Sequence, residues 1–228
     1  MAIVYDDSLL AAPDLDYFRP EYWESENALN GQAMGRSSAW FIDTPFGSVV
    51  LRQYLRGGWA AKFSRNKYFF SKVPRSRPFR EFHLLAALHE QGLPVPRPVT
   101  AVCEHRGLLS SGAIITIRIP LAETLAHWLE IVEFDCYHRC WANVGQCIRR
   151  FHDSGVWHAD LNVRNILLDS AQQVFLLDFD RARFRPGRKV IGKSNLGRLK
   201  RSLLKCWPAD QIPAMQVAWM NLMDGYHG

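Results

Sequence analysis

The sequence predicts an α+β chain in two lobes, with strands and one helix in the first half and mainly helices around a small hairpin in the second. Three observations predict it. Stretches rich in β-branched and aromatic residues cluster between residues 39 and 119, one amphipathic helix interrupts them at 78–91, and beyond about residue 135 apolar residues recur at helical spacing. The expected division is an N-terminal arm at 1–30, an N-lobe at 31–118 and a small, mainly helical C-lobe at 119–228.

Residues 1–30 are acidic and aromatic with little periodicity, and only Pro20 to Glu26 reads as a short helix. Ala39 to Asp43 and Ser48 to Leu55 flank the turn residues Thr44-Pro-Phe-Gly47 and predict a hairpin. Phe79, Phe82, Leu85, Ala86 and His89 recur at three- and four-residue spacing, predicting a helix that stops at Gly92. Prolines at 94, 96 and 98 keep the next segment extended. Strands follow at Val99 to Cys103 and Ala113 to Ile119. In the second half Trp141, Val144, Ile148 and Phe151 mark one face of a helix from about Asp135 to Asp153, with Gly155 as its terminator. Ile166 to Asp169 and Val174 to Leu177 read as short strands joined by a polar turn. Candidate helices at Asn195 to Lys205 and Pro213 to Tyr226 complete the chain.

Composition narrows the class. With 48% hydrophobic and 22% charged residues and eight Trp, the 228-residue chain has the means to bury an ordered core, so disordered and fibrous classes fall away. No apolar run approaches the roughly 18 residues of a bilayer-spanning helix. The first residues lack the basic and apolar regions of a secretory signal, so a cytosolic location is expected. Five Cys, an odd number, fit reduced thiols. Cys136, His138 and Cys140 point to different sides of a helix and have no second pair at zinc-finger spacing. A net charge of +6 points to an acidic partner: nucleotide phosphates, nucleic acid, anionic lipid or an acidic sugar. The cations gather from Arg52 to Arg77 and again from Arg181 to Arg201. A merely solvated basic face explains any one of them equally well.

The segment His158-Ala-Asp160-Leu-Asn162-Val-Arg-Asn165-Ile-Leu-Leu-Asp169, followed by Leu177-Asp178-Phe179-Asp180, carries the strongest chemical signal. An Asp, an Asn five residues later and an Asp closing a short apolar strand can set two oxygen donors on a divalent cation and one carboxylate beside an incoming hydroxyl. Phosphoryl transfer needs that set. Mg²⁺ takes hard oxygen ligands and keeps several waters, so one carboxylate and one amide oxygen suffice beside the phosphates. The other carboxylate orients the acceptor hydroxyl and takes its proton.

These motifs resemble the protein-kinase-like superfamily, with its H-x-D-x-x-x-x-N catalytic loop and D-F-G metal motif. The resemblance implies a protein-kinase-like two-lobed fold, Asp160 as catalytic base, and Asn165 and Asp178 as Mg²⁺ ligands. His158 is expected to brace the loop rather than react. Asp180 replaces the Gly of D-F-G, Asn162 replaces the usual Lys, no A-P-E segment follows, and only 50 residues remain after Asp178. Those departures favour a non-protein acceptor. On the nucleotide side, Gly31-Gln-Ala-Met-Gly35-Arg36 is similar to a glycine loop over ATP phosphates, although two Gly in five residues equally describe an ordinary turn. Arg52 stands at the place of the strand lysine, and Glu81 on the following helix is its natural partner or else a solvated charge.

Gly35-Arg-Ser-Ser-Ala-Trp-Phe41, Leu51-Arg-Gln-Tyr-Leu-Arg-Gly-Gly58, Glu81-Phe-His-Leu-Leu85, Gly92-Leu-Pro-Val-Pro96, His158-Ala-Asp-Leu-Asn162 and Leu177-Asp-Phe-Asp-Arg181 together look like the 3-deoxy-D-manno-octulosonic acid (Kdo) kinase family, relatives of lipopolysaccharide-core heptose kinases. That resemblance spans about residues 30–205. It implies ATP-dependent phosphorylation of the Kdo 4-hydroxyl on a lipid A precursor, with Gly35, Arg36, Arg52 and Glu81 at the nucleotide. It places the protein peripherally at the cytoplasmic face of a Gram-negative inner membrane, with neither nucleic acid nor a protein as partner. Arg56, beside Gly57-Gly58, and Arg181 are expected to contact the anionic acceptor. Trp59, Phe63, Tyr68, Phe69 and Phe70 suit either a membrane interface or ordinary packing. Two other readings remain at this level: a heptose or other small-molecule kinase, and an inactive basic module that binds membrane or nucleic acid.

Overall fold

The computed structural model describes residues 2–33, 39–54, 68–69, 76–106, 109–131 and 138–228. They mix helix with antiparallel sheet. The chain divides into two compact units, Met1–Ala87 with Pro96–Arg118 and Leu88–Val95 with Ile119–Gly228.

The first unit contains β1 (Ala2–Tyr5), α1 (Pro20–Ser25), β2 (Leu29–Ala33), β3 (Ala39–Thr44), β4 (Gly47–Gln53), β5 (Tyr68–Phe69), most of α2 (Arg77–Glu90), β6 (Pro98–Arg106) and β7 (Leu109–Ile117). Its sheet runs β1-β6-β7-β4-β3-β2, and β5 pairs the start of β7. All of these pairs are antiparallel. Alternation along β4 sets the faces: Val49 and Leu51 are buried with Ile42, Ala113 and Ile115 in one apolar cluster. Arg52, offset by one residue, points to the opposite face. There it meets α2, whose Phe79, Phe82, Leu85 and Leu88 are buried. Helix α2 gives way at Gly92, whose φ of +69° is a conformation that most residues avoid.

Residues 1–30 depart from the expected arm. Leu10, Phe18 and Trp23 are buried in the same apolar cluster as Val49 and Leu51, so this segment covers the sheet. β1 extends the sheet beside β6, and Arg97 donates from Nε (2.9 Å) and Nη2 (2.7 Å) to Asp6 just beyond it. Gly31, read as the start of a glycine loop, lies in β2 next to a register shift between Leu29 and Gly31.

The second unit holds β8 (Glu123–Thr124), α3 (Leu125–Ile131), α4 (His138–Asp153), β9 (Val156–Trp157), β10 (Ile166–Leu168), β11 (Val174–Leu176), β12 (Arg183–Phe184), α5 (Lys193–Cys206) and α6 (Ile212–His227). Helix α4 buries Trp141, Val144, Ile148 and Phe151, the stripe its periodicity marks. It crosses α6 at very short range: a Cβ on Gly145 would stand 1.9 Å from the Leu222 carbonyl oxygen, and one on Gly225 2.1 Å from that of Ala142. Backbone packs on backbone at that crossing. Small antiparallel sheets, β11-β10-β8 and β12-β9, then frame the loops that carry the conspicuous motif residues.

Candidate functional site

The loop between β9 and β10 is held by its own side chains. His158 is buried, its Nε2–H donates to the Leu177 carbonyl at 2.7 Å, and its Nδ1 accepts the Asp160 N–H at 3.1 Å. One tautomer satisfies both contacts, the neutral ring protonated on Nε2. Its edge meets the Phe179 ring at 5.0 Å, and Phe179 stacks on Phe151 at 5.7 Å. The Asp160 carbonyl accepts from Asn162 Nδ2 (2.9 Å) and Asn165 Nδ2 (2.8 Å). Both backbone polar groups of Asp160 are thus fixed while its carboxylate stays half exposed, at 49%. It can meet a hydroxyl from solvent without moving the chain.

Asn165 and Asp178 are adjacent through the backbone, because the Leu177 N–H donates to the Asn165 carbonyl at 2.9 Å. With Nδ2 of Asn165 committed to Asp160, its Oδ1 is the end left to act as an oxygen donor. Asp178 has φ +63°, left-handed backbone that costs an ordinary residue about 1–2 kcal/mol and that Asp tolerates better than most. Strain of this kind gathers where a side chain must be aimed. A carboxylate and an amide oxygen are hard donors of the type that Mg²⁺ accepts. No cluster of three or more His, Cys, Asp or Glu suited to a metal occurs among the described residues.

Helix α5 underlies this loop in register. Ser194 Oγ accepts from Trp157 Nε1 at 3.0 Å, Asn195 bonds the backbone of His158, Arg198 Nη1 stands 3.5 Å from Asp160 Oδ1, and Ser202 Oγ accepts the Val163 N–H at 3.3 Å. Asn195 is fully buried and fully used: Oδ1 accepts from the His158 N–H (3.1 Å) and His152 Nε2 (3.0 Å), while Nδ2 donates to the His158 carbonyl. The Tyr226 hydroxyl then donates to His152 Nδ1 at 2.8 Å. Burial pushes the His152 pKa below its ordinary value, in keeping with this neutral role. Asn195, Arg198, His152 and Tyr226 were not singled out from the sequence. A visible signal was present in Asn195, a polar residue beside Leu196 and Leu199 on the buried face of an amphipathic helix.

In the first unit, Arg52 of β4 and Glu81 of α2 form an ion pair, and Tyr54 donates its hydroxyl to the other Glu81 oxygen at 2.5 Å. Glu81 is 1% exposed, which removes the reading of a solvated helix charge. Removing either charge would strand the other in a poorly solvated place. Arg181 lies on the surface with its side chain 78% exposed, 4.0 Å from Asp180. Gly35, Arg36 and Arg56 lie outside the described residues, as do the side chains of Trp59, Phe63, Tyr68, Phe69 and Phe70.

Held this way, the second unit keeps the Asp160 carboxylate open to solvent in the loop that also carries Asn165. Comparison with known proteins shows the family. Residues 20–226 match the model of the lipopolysaccharide kinase (Kdo/WaaP) family. A 3-deoxy-D-manno-octulosonic acid kinase of Stenotrophomonas maltophilia (strain R551-3) is 40% identical over 225 residues, 99% of this chain and 89% of the relative. One of the same name from Xanthomonas axonopodis pv. citri (strain 306) is 42% identical over 204 residues, 90% of this chain and 80% of the relative. With a family match over nearly its whole length and relatives at this identity, the chain belongs to the lipopolysaccharide kinase (Kdo/WaaP) family.

Proposed function

We propose that this protein transfers the γ-phosphoryl group of ATP to the 4-hydroxyl of Kdo on a Kdo-lipid A precursor, in lipopolysaccharide core biosynthesis. The observation that carries the proposal is the state of Asp160. Its backbone is locked by His158, Asn162 and Asn165 while its carboxylate remains open to a hydroxyl, in the same unit as Asn165 and Asp178. Names carried by relatives from two genera support the acceptor.

In this reading the chain has a protein-kinase-like two-lobed plan. Asp160 orients the Kdo hydroxyl and accepts its proton as the oxygen attacks phosphorus. Asn165 and Asp178 would hold Mg²⁺, which when bound would supply positive charge to offset that of the phosphates. Arg52, kept extended by Glu81, is the cation for ATP phosphates, and Gly35 and Arg36 complete the nucleotide contacts. Arg can grip phosphate oxygens as a fork where Lys offers a point charge. Arg56 and Arg181 serve the anionic acceptor. The net charge of +6 suits an anionic inner-membrane surface at its cytoplasmic face, each nearby cation contributing about 1 kcal/mol. No described helix is long and apolar enough to cross a membrane.

Mass spectrometry of Kdo-lipid IVA incubated with ATP and Mg²⁺ tests the reading. The wild-type protein is expected to add one phosphate to the Kdo fragment, and Asp160→Asn to slow that addition by about 10²- to 10⁴-fold. ATP turnover with no mass gain on lipid would discard Kdo as acceptor. An Asp160→Asn protein as fast as wild type would discard the base.

A further inference from the structure

We infer that Arg198 is the residue that recognises the carboxylate of the acceptor sugar acid; the inference rests on the Kdo-kinase reading and deepens it. Arg198 Nη1 stands 3.5 Å from Asp160 Oδ1, and the two side chains are 46% and 49% exposed, so both open to solvent at one spot. Its position is built. One turn earlier Asn195 is fully buried and bonded to the His158 backbone, and one turn later Ser202 takes the Val163 N–H. Those two anchors fix the register of α5 against the loop, so the backbone of Arg198 is held beside Asp160.

The ion pair itself is loose. A charge-assisted N–H to carboxylate bond closes to about 2.7–2.9 Å, whereas this contact is a single nitrogen at 3.5 Å. A guanidinium carries five N–H donors in a planar fork suited to a carboxylate, so most of its capacity is unspent on Asp160. The acceptor brings the second anion. Kdo is an acid whose C1 carboxylate is attached at C2 of the same ring that bears the 4-hydroxyl. With that hydroxyl on Asp160, the ring carboxylate falls within reach of a cation touching Asp160. A neutral sugar would leave Arg198 without its partner, so the contact selects a sugar acid over a heptose.

The test is a cycle between protein and acceptor. Initial rates are measured for wild type, Arg198→Ala and Arg198→Lys with Kdo-lipid IVA, and with an analogue whose Kdo carboxylate is reduced to CH₂OH. Wild type is expected to lose about 10- to 100-fold in kcat/KM on the reduced acceptor, and Arg198→Ala to lose a similar factor on the natural one. On the reduced acceptor the two proteins should be nearly equal, with the KM for ATP unchanged. Arg198→Lys should recover part of the loss, since charge returns without the fork. Losses that multiply, or a raised KM for ATP, overturn the inference and put Arg198 on the nucleotide phosphates instead. Arg198→Gln keeps the stem length and replaces the Ala variant in the cycle if the latter is unfolded by circular dichroism. Wild type transferring phosphate to neither acceptor overturns the Kdo-kinase reading, and this assignment with it.

Discussion

Asp178 has a left-handed backbone and, in the proposed function, a charged side chain for a cation, and substitutions can separate the two. Asn tolerates φ near +63° almost as Asp does, so Asp178→Asn should keep the thermal midpoint of wild type while phosphate transfer falls by about 10²- to 10³-fold. Val cannot sit there without strain, so Asp178→Val should lose activity and also about 1–2 kcal/mol of stability by urea titration. Equal stability of the two variants would mean that the backbone relaxes and that φ is no constraint. At this scale the sequence was informative wherever the contacts are local. His158, Asp160, Asn165 and Asp178 stand in one short stretch, and the bonds that tie their segments together run within it. Arg198 was silent and Asn195 showed only as a polar residue on a buried face, because their meaning depends on α5 lying against residues 157–163, a contact between segments far apart in the chain.

Elements with a clear period could be read, and those without one could not. The β3–β4 hairpin, α2, α4, the β10–β11 pair and the last two helices follow alternation or helical spacing, and each lies within a few residues of its expected limits. β1 and the buried Leu10, Phe18 and Trp23 have no common period, since very short elements joined by loops contribute side chains at irregular intervals. Helix α3 is a single short run, below the length at which a stripe becomes visible. The α4–α6 crossing was equally hidden, because Gly145 and Gly225 read as helix-weakening residues until the partner helix is in place. Their close approach makes a sharp prediction. Gly145→Ala raises intrinsic helix propensity by about 1 kcal/mol, yet should destabilise the protein by about 2–3 kcal/mol, because the methyl would meet the Leu222 carbonyl at 1.9 Å. A urea midpoint at or above that of wild type would show that the helices separate without cost.

Over the whole molecule, the buried titratable groups predict a stability plateau with different causes at its two edges. His152 is buried between Tyr226 and Asn195, and burial outweighs the favourable effects of Asn195 and Asp153 to hold its pKa below the ordinary 6.5. As pH falls below 6.5 the unfolded chain takes up this proton before the folded one does, so stability is present above 6.5 and is lost towards the lowered folded value. The thiols work in the other direction. Burial pushes Cys140 and Cys147 up from 9.0 to about 12 and raises Cys103 as well. Above pH 9 the unfolded chain releases protons that the folded chain retains, so stability falls as pH rises towards 12. Urea midpoints should therefore be flat between the ordinary imidazole and thiol values and drop on both sides. His152→Gln should lower the plateau while flattening its acid edge, because an amide cannot gain the proton. An acid edge as steep in His152→Gln as in wild type would assign that loss to carboxylates such as Asp153, whose pKa is held low by its bond from Arg149. The outcome bears on function, because the chain of contacts from Tyr226 through His152 and Asn195 ends on the backbone of His158, two residues from Asp160. Protonating His152 breaks that chain at its middle, so phosphate transfer should decline over the same acid range as the stability of the fold.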